Sequence, residues 1–242
     1  MSHKSIYILS LLFLFLYWPS SGKAQNAVED IQKINKAYLT NTTFSMDVVV
    51  NVYAKANSKR PDEVQMGFAK RKKEYLHTQI GDVETIKSVS TILSIDHKNK
   101  RIVIAEPENS FNVLPDGMAS KLELLLSYCE KVLYVDISKN TGKYVLVMPS
   151  YTYKQFEFEF NKQTYLLEKL IMIVNEKLIE NYNPESSDDK LKIVIEYNNI
   201  NLNPVFSNNE FTTWKYITND GNVFKLTKEY QNYTIINQLP IK

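Results

Sequence analysis

Along most of this chain polar and apolar positions alternate with period two, and the alternation begins abruptly at residue 44. Phe44, Met46, Val48, Val50 and Val52 fall on one face, with Ser45, Asp47 and Asn51 on the other. That is the pattern of a half-buried strand. Val64, Met66 and Phe68 continue it beyond a polar turn at Asn57 to Pro61. Tyr75 to Ile80 reads as another strand, closed by a Gly81-Asp82 turn. Thr91 to Asp96 and Arg101 to Ala105 flank His97-Lys98-Asn99-Lys100, a hairpin with a four-residue loop. Leu133 to Ile137 and Lys143 to Met148 form a second hairpin around Lys139 to Gly142. Phe156-Glu157-Phe158-Glu159-Phe160 sets rings on one face and carboxylates on the other, and Asn161 to Gln163 turns the chain into Thr164 to Val174. Asn181 to Lys190 reads as a polar loop; Leu191, Ile193, Ile195 and Tyr197 then alternate again, and Thr227 to Leu239 supplies a last strand.

Helical spacing occurs twice. Asn26 to Leu39 carries Val28, Ile31, Ile34 and Tyr38 on one stripe, and Met118, Leu122, Leu125, Leu126, Cys129 and Leu133 mark a helix begun near Pro115. Together these give about ten strands and two helices. Short turns between successive strands imply antiparallel neighbours. The absence of strand–helix alternation argues against a doubly wound sheet. The expected class is α+β, mostly antiparallel, and a sheet of that width tends to curl or close.

The first 24 residues follow other rules. Lys4 precedes an apolar run from Ile6 to Trp18, and Gly22 and Ala24 place small residues before a cut at Gln25. This is the layout of an export signal. An uncleaved anchor fits less well, because a bilayer span needs roughly 20 apolar residues. The expected organisation is a cleavable signal at 1–24 and one β-rich domain at 25–242, working in the periplasm and not integral to the membrane. Removal of the signal takes Lys4 and Lys23 from 29 basic and 27 acidic residues, leaving a balanced chain. Such a balance excludes bulk attraction to nucleic acid. The run Lys70 to Lys73 reads as a solvated strand end.

Candidate chemistry is sparse. Cys129 is the single cysteine, so no intrachain disulfide forms, and with His77 and His97 it cannot complete a usual zinc site. Phosphate-binding glycine loops and the nucleophile elbow are missing. His77 and His97 read as rim residues. Glu157 and Glu159 share a strand face and could suit acid–base work, but they read better as the solvent side of the Phe156 strand. Glu185, Asp188 and Asp189 lack the spacing of a calcium loop. No catalytic residue, metal or cofactor is expected, and the chain is not read as an enzyme.

What remains is apolar surface in excess of its covers. If a bent sheet is not filled by its own side chains, its hollow becomes a groove for an acyl chain. The residues expected to line it are Phe44, Met46, Val48, Val50, Phe156, Phe158 and Phe160, with Leu122, Leu125 and Leu126 on the covering helix. The order of elements resembles that of periplasmic lipoprotein carriers, the LolA-like family. The resemblance is carried by the export signal, the short helix, the Phe44 to Asp47 strand start, the Ile92 to Ile104 hairpin and the Phe156 to Phe160 strand running into Lys162 to Leu167. It implies a curved, incompletely closed barrel with helices over its mouth, sheltering lipid or lipoprotein acyl chains. Tyr197 to Lys242 has no counterpart in that pattern. The expected partner is therefore a lipid or lipoprotein acyl chain bound by a monomer. The alternative is a structural or accessory module of an envelope assembly, with Asn203 to Tyr216 as its docking surface for an envelope protein.

Overall fold

The computed structural model describes residues 27–107, 115–148, 152–174, 191–220 and 223–239. The expected signal at 1–24 and the loop at 181–190 lie outside the described residues. Helix α1 (Ala27–Thr40) has Glu29 and Asp30 in its first turn, where the helix dipole favours negative charge. Ile31, Ile34 and Tyr38 are its buried stripe. Val28, expected on that stripe, is 46% exposed.

A meander of six strands follows: β1 (Thr43–Tyr53), β2 (Glu63–Lys72), β3 (Tyr75–Ile80), β4 (Val83–Lys87), β5 (Ile92–Asp96) and β6 (Arg101–Ala105). Helix α2 (Pro115–Leu126) leads into a second meander of β7 (Lys131–Asp136), β8 (Thr141–Val147), β9 (Tyr153–Asn161), β10 (Leu167–Val174) and β11 (Lys192–Asn201). The helix ends sooner than its apolar spacing predicts. Cys129 lies past its end, where the thiol meets Leu125 O at 3.2 Å, and Leu133 belongs to β7.

The two meanders join through their first and last strands, because β1 pairs antiparallel with both β2 and β11. A short hairpin, β12 (Ile217–Asp220) and β13 (Val223–Leu226), forms a separate two-stranded sheet, and β14 (Thr234–Asn237) adds to β6 in parallel. The main sheet therefore runs β14-β6-β5-β4-β3-β2-β1-β11-β10-β9-β8-β7, twelve strands in an open, curved half-barrel. The expected class is the observed one, with more strands than the pattern alone gave. The run Thr227 to Leu239 is not one strand but a 3-10 turn at Lys228–Tyr230 followed by β14.

Register divides the sheet into two sides. On the helix side, Phe44, Met46 and Val48 continue through Tyr197 and Ile195 into Leu170 and Met172, then Phe158 and Phe156, then Tyr144 and Leu146. With Ile31, Ile34, Tyr38, Leu122 and Leu125 these make the larger core. Each fully buried branched or aromatic side chain contributes about 1.5–3 kcal/mol. Gly142 stands in this wall because a methyl group there would lie 2.8 Å from Tyr134 Oη and 3.0 Å from the Phe160 ring.

A second core lies on the opposite, outer side. Ile86, Leu93, Ile95, Ile102 and Ile104 of β4–β6 are covered by Tyr216, Ile217 and Tyr230, with Phe224, Leu226, Tyr233, Ile235 and Leu239 beside them. The C-terminal segment thus works as a strap over the outer side of β4–β6. Helices alone do not supply the sheet's cover.

Candidate functional site

The expected groove residues sit together on the helix side. Phe44, Met46, Val48, Leu122, Leu125, Phe156, Phe158 and Phe160 are buried in the larger core, while Val50 and Leu126 are half-buried at its margin. The rings interlock: Tyr144 stacks on Phe160 at 5.9 Å, and Phe160 on Tyr165 at 5.9 Å. Two polar contacts fix α1 on this wall. The Tyr38 hydroxyl accepts the Leu167 N–H at 3.0 Å, and the Tyr144 hydroxyl donates to Asp30 Oδ2 at 2.8 Å. Burial, then the hydrogen bond to Asp30, pushes the Tyr144 hydroxyl far above the ordinary tyrosine range.

The same side of the sheet changes character from β2 onward. Met46 is followed across the strands by Ala69, Thr78, Thr85, Ser94 and Val103. One row away, Val48 is followed by Gly67, Ile80, Val83, Asp96 and Arg101. The larger core takes Leu76 and Ile80 of β3 and, among the described residues, nothing from β4, β5 or β6. Thr78, Thr85, Ser94, Val103 and Ala105 are only half-buried. Bulky side chains fill one half of the helix side, and mostly smaller, half-buried ones line the other. That other half mixes hydroxyl and aliphatic groups, and in the next row Lys87 pairs with Ile92, which is 5% exposed.

Gly67 shapes the boundary between the halves. A Cβ there would lie 1.7 Å from the backbone oxygen of Gln79, so β2 and β3 approach more closely than any side chain permits. These half-buried rows were not predicted from the sequence, because Ile92-Leu93-Ser94-Ile95 is apolar at positions that point both ways.

On the outer side, Glu157 is buried and accepts from Lys143 Nζ at 2.9 Å and from Gln155. Glu157 and Glu159 occupy the outer side of β9, but only Glu159 is partly exposed; Glu157, expected on the solvent side, is buried because Lys143 and Gln155 cover and satisfy its carboxylate. Beneath the strap lies a cluster of a different kind. Glu84 of β4, 5% exposed, accepts at Oε1 from His77 Nε2 (2.8 Å) and from the Tyr216 hydroxyl (2.6 Å), and at Oε2 from His97 Nε2 (2.9 Å). Burial works to raise the Glu84 carboxyl, but the hydrogen bonds from His77, Tyr216 and His97 outweigh it and hold it at about 2. His77 and His97 are therefore partners of a buried carboxylate and not plain rim residues. Among the described residues no group of histidine, cysteine and acidic side chains is arranged to hold a metal ion. No helix among them is long and apolar enough to cross a membrane.

An open antiparallel half-barrel with two helices on one side and a strap on the other defines the class of this protein. No protein-family model matches the chain, and no curated protein sequence matches it. Solved structures similar to it include an uncharacterized conserved protein from Thermus thermophilus, at 9% identity and a TM-score of 0.49, covering 88% of this chain and 100% of that one. A LolA superfamily protein from Nitrosomonas europaea is similar at 10% identity and TM-score 0.36, covering 79% of this chain and 100% of that one. A putative outer membrane lipoprotein-sorting protein domain from Vibrio parahaemolyticus is similar at 9% identity and TM-score 0.35, covering 77% and 97%. At these identities and scores no residue role passes from those proteins to this chain.

Proposed function

We propose that this protein is an exported, non-enzymatic binder or carrier of an amphiphile, a lipid or a lipoprotein acyl chain, held on the helix side of its half-barrel in the periplasm. The observation that supports the reading is the split of that side into a filled half and rows of mostly smaller, half-buried side chains on β3–β6, which we read as a trough. An acyl chain laid over Ile80, Val103 and Ala105 would replace water on aliphatic surface at about 25 cal/mol per Å². Polar parts of the same molecule would meet Thr78, Thr85 and Ser94. Phe44, Met46, Val48, Phe156, Phe158 and Phe160, with Leu122 and Leu125 of α2, pack the filled half, and cargo would meet it at its half-buried margin, Val50 and Leu126. Native mass spectrometry of protein purified from its own envelope tests the proposal. Co-purified lipid, and uptake of a fluorescent fatty acid by the delipidated protein, are expected. Protein that emerges without lipid and takes up no probe would remove the basis for a carrier.

A second reading, an accessory module of an envelope assembly, is favoured by the segment between β11 and β12. Val205 is 99% and Trp214 80% exposed there. Large exposed aromatics often anchor protein contacts. Affinity capture with the intact chain and with Trp214→Ala distinguishes the readings, since a stoichiometric protein partner lost in the variant supports the module.

A further inference from the structure

The basic run Lys70 to Lys73 is split by the strand that carries it. Lys70 points to the outer side, where its Nζ pairs with Glu210 at 2.7 Å. Arg71 points to the helix side, in a row that runs Phe44, Arg71, Leu76, Lys87 and Ile92 across β1 to β5. Lys72 closes β2, and Lys73 opens the turn into β3 with its backbone in the left-handed region (φ 56°). That turn is tied down twice. The Lys73 N–H donates to Thr42 O at 2.6 Å, and Arg71 Nε–H donates to Lys73 O at 2.9 Å. Lys72 and Lys73 are exposed, while Arg71 and Lys87 are half-buried.

Two apolar tips stand on the same end of the sheet. Leu39, 63% exposed, lies in the last turn of α1, three residues before Thr42. Val89, 66% exposed, sits on the β4–β5 turn, which the Ser88 N–H closes on Thr91 O at 2.8 Å. Strand spacing puts the tips roughly 15–20 Å apart with the cations between them. One exposed apolar residue is ordinary. A pair flanking a cationic stretch is a different surface. Segments 39–43, 71–76 and 87–92 hold Arg71, Lys72, Lys73 and Lys87 against Glu74 alone, in a chain whose charges otherwise nearly balance. Glu106, past the end of β6, is the next acid along this end.

We propose that this rim docks the protein on the surface of an anionic bilayer. Lysine and arginine beside such a surface are drawn to its headgroups. Leu39 and Val89 enter the boundary of the acyl region, as apolar side chains among basic ones do at an interface. A soluble polyanion would reward the cations but offer the two apolar tips nothing. The row of Arg71, Leu76 and Lys87 lies on the helix side, so docking turns that end of the helix side towards the membrane. This docking goes beyond the cargo reading and stands whether or not the helix side holds a lipid.

Co-sedimentation with vesicles tests it, using protein purified from its own envelope with the same N-terminus in parent and variants. The parent should bind vesicles of equimolar phosphatidylcholine and phosphatidylglycerol. It should bind phosphatidylcholine alone roughly tenfold less, and added salt should release it. Lys72→Glu with Lys73→Glu should weaken binding to the mixed vesicles by roughly tenfold or more. Lys98→Glu with Lys100→Glu is the matched control and should bind like the parent. Both of those lysines are exposed on the β5–β6 turn at the opposite end, and Lys100 shares the left-handed backbone of Lys73 (φ 53°). Val89→Asp should also weaken binding by roughly tenfold. Equal binding to both kinds of vesicle, equal loss in the two double variants, or full binding by Val89→Asp would each overturn the docking. The last would leave a polyanion contact in its place. If the rim double variant does not fold, Val89→Asp and the choice of lipid decide.

Discussion

Tyr144 of β8 donates its hydroxyl hydrogen to Asp30 of α1 at 2.8 Å, and both side chains are buried. The acid is 2% exposed, with Lys33 Nζ 3.7 Å away as its cationic neighbour. This bond joins residues 114 positions apart and seats the first helix on the far meander. Tyr144→Phe should cost about 1.5–3 kcal/mol, because it leaves a buried carboxylate short of a donor. Asp30→Ala should cost a similar amount, and the double variant should lose less than the two singly. Urea unfolding of the three proteins measures the coupling.

The two glycines of the helix side should differ sharply when changed to alanine. At Gly67 the new methyl group would collide with the Gln79 backbone at 1.7 Å, so the strands themselves must part. At Gly142 it would press on the Tyr134 hydroxyl and the Phe160 ring at 2.8–3.0 Å, which can shift. Gly67→Ala should destabilise by about 3 kcal/mol or more, and Gly142→Ala by about 1–2 kcal/mol. Denaturation midpoints with unchanged slopes would give both values.

Glu84 makes stability depend on acid pH in a defined direction. Its ordinary value is 4.5 and its value in the folded protein is about 2. A folded group that titrates lower than the unfolded one stabilises the protein fully above the unfolded value. That contribution is lost as the pH falls from about 4.5 towards 2, and it is on the order of 3 kcal/mol. Glu84→Gln should remove it. The stability difference between parent and variant, followed by urea titration from pH 6 downward, should narrow across that window.

Filling the trough should separate binding from folding. Ser94 is half-buried between Thr85 and Val103. Ser94→Phe should cut uptake of a fluorescent fatty acid by roughly tenfold, a change of about 1.4 kcal/mol. Its stability should stay within about 1 kcal/mol of the parent. Equal loss of uptake and stability would mean that the site belongs to the core.

Much of the architecture was legible because sheet period and turn chemistry are local. The Ile92 to Asp96 and Arg101 to Ala105 hairpin appears where alternation and a polar loop place it, and the Phe156 to Phe160 rings all point to the helix side. Other parts depended on distant partners. Val83 to Lys87 has only five residues and mixed polarity, and its strand character comes from pairing on both edges. Spacing extended α2 to Leu133, yet the segment after Leu126 takes its structure from β8. The Glu84 cluster was invisible for the same reason. His77 meets Glu210 across 133 positions, Tyr216 meets Glu84 across 132, and His97 meets Tyr233 across 136. No short motif can announce such a site.

The seam between β1 and β11 has a consequence for how the chain is made. Strand β1 has its hairpin partner β2 within reach as soon as both have emerged, but its other edge must wait for Lys192–Asn201. During vectorial synthesis or export, Thr43–Tyr53 therefore holds a line of unsatisfied backbone groups while more than a hundred further residues arrive. Non-local closure of this kind is slow and leaves the waiting edge open to wrong partners. The final joining of the two meanders, and not the formation of either, is the step at which a newly made molecule is most vulnerable.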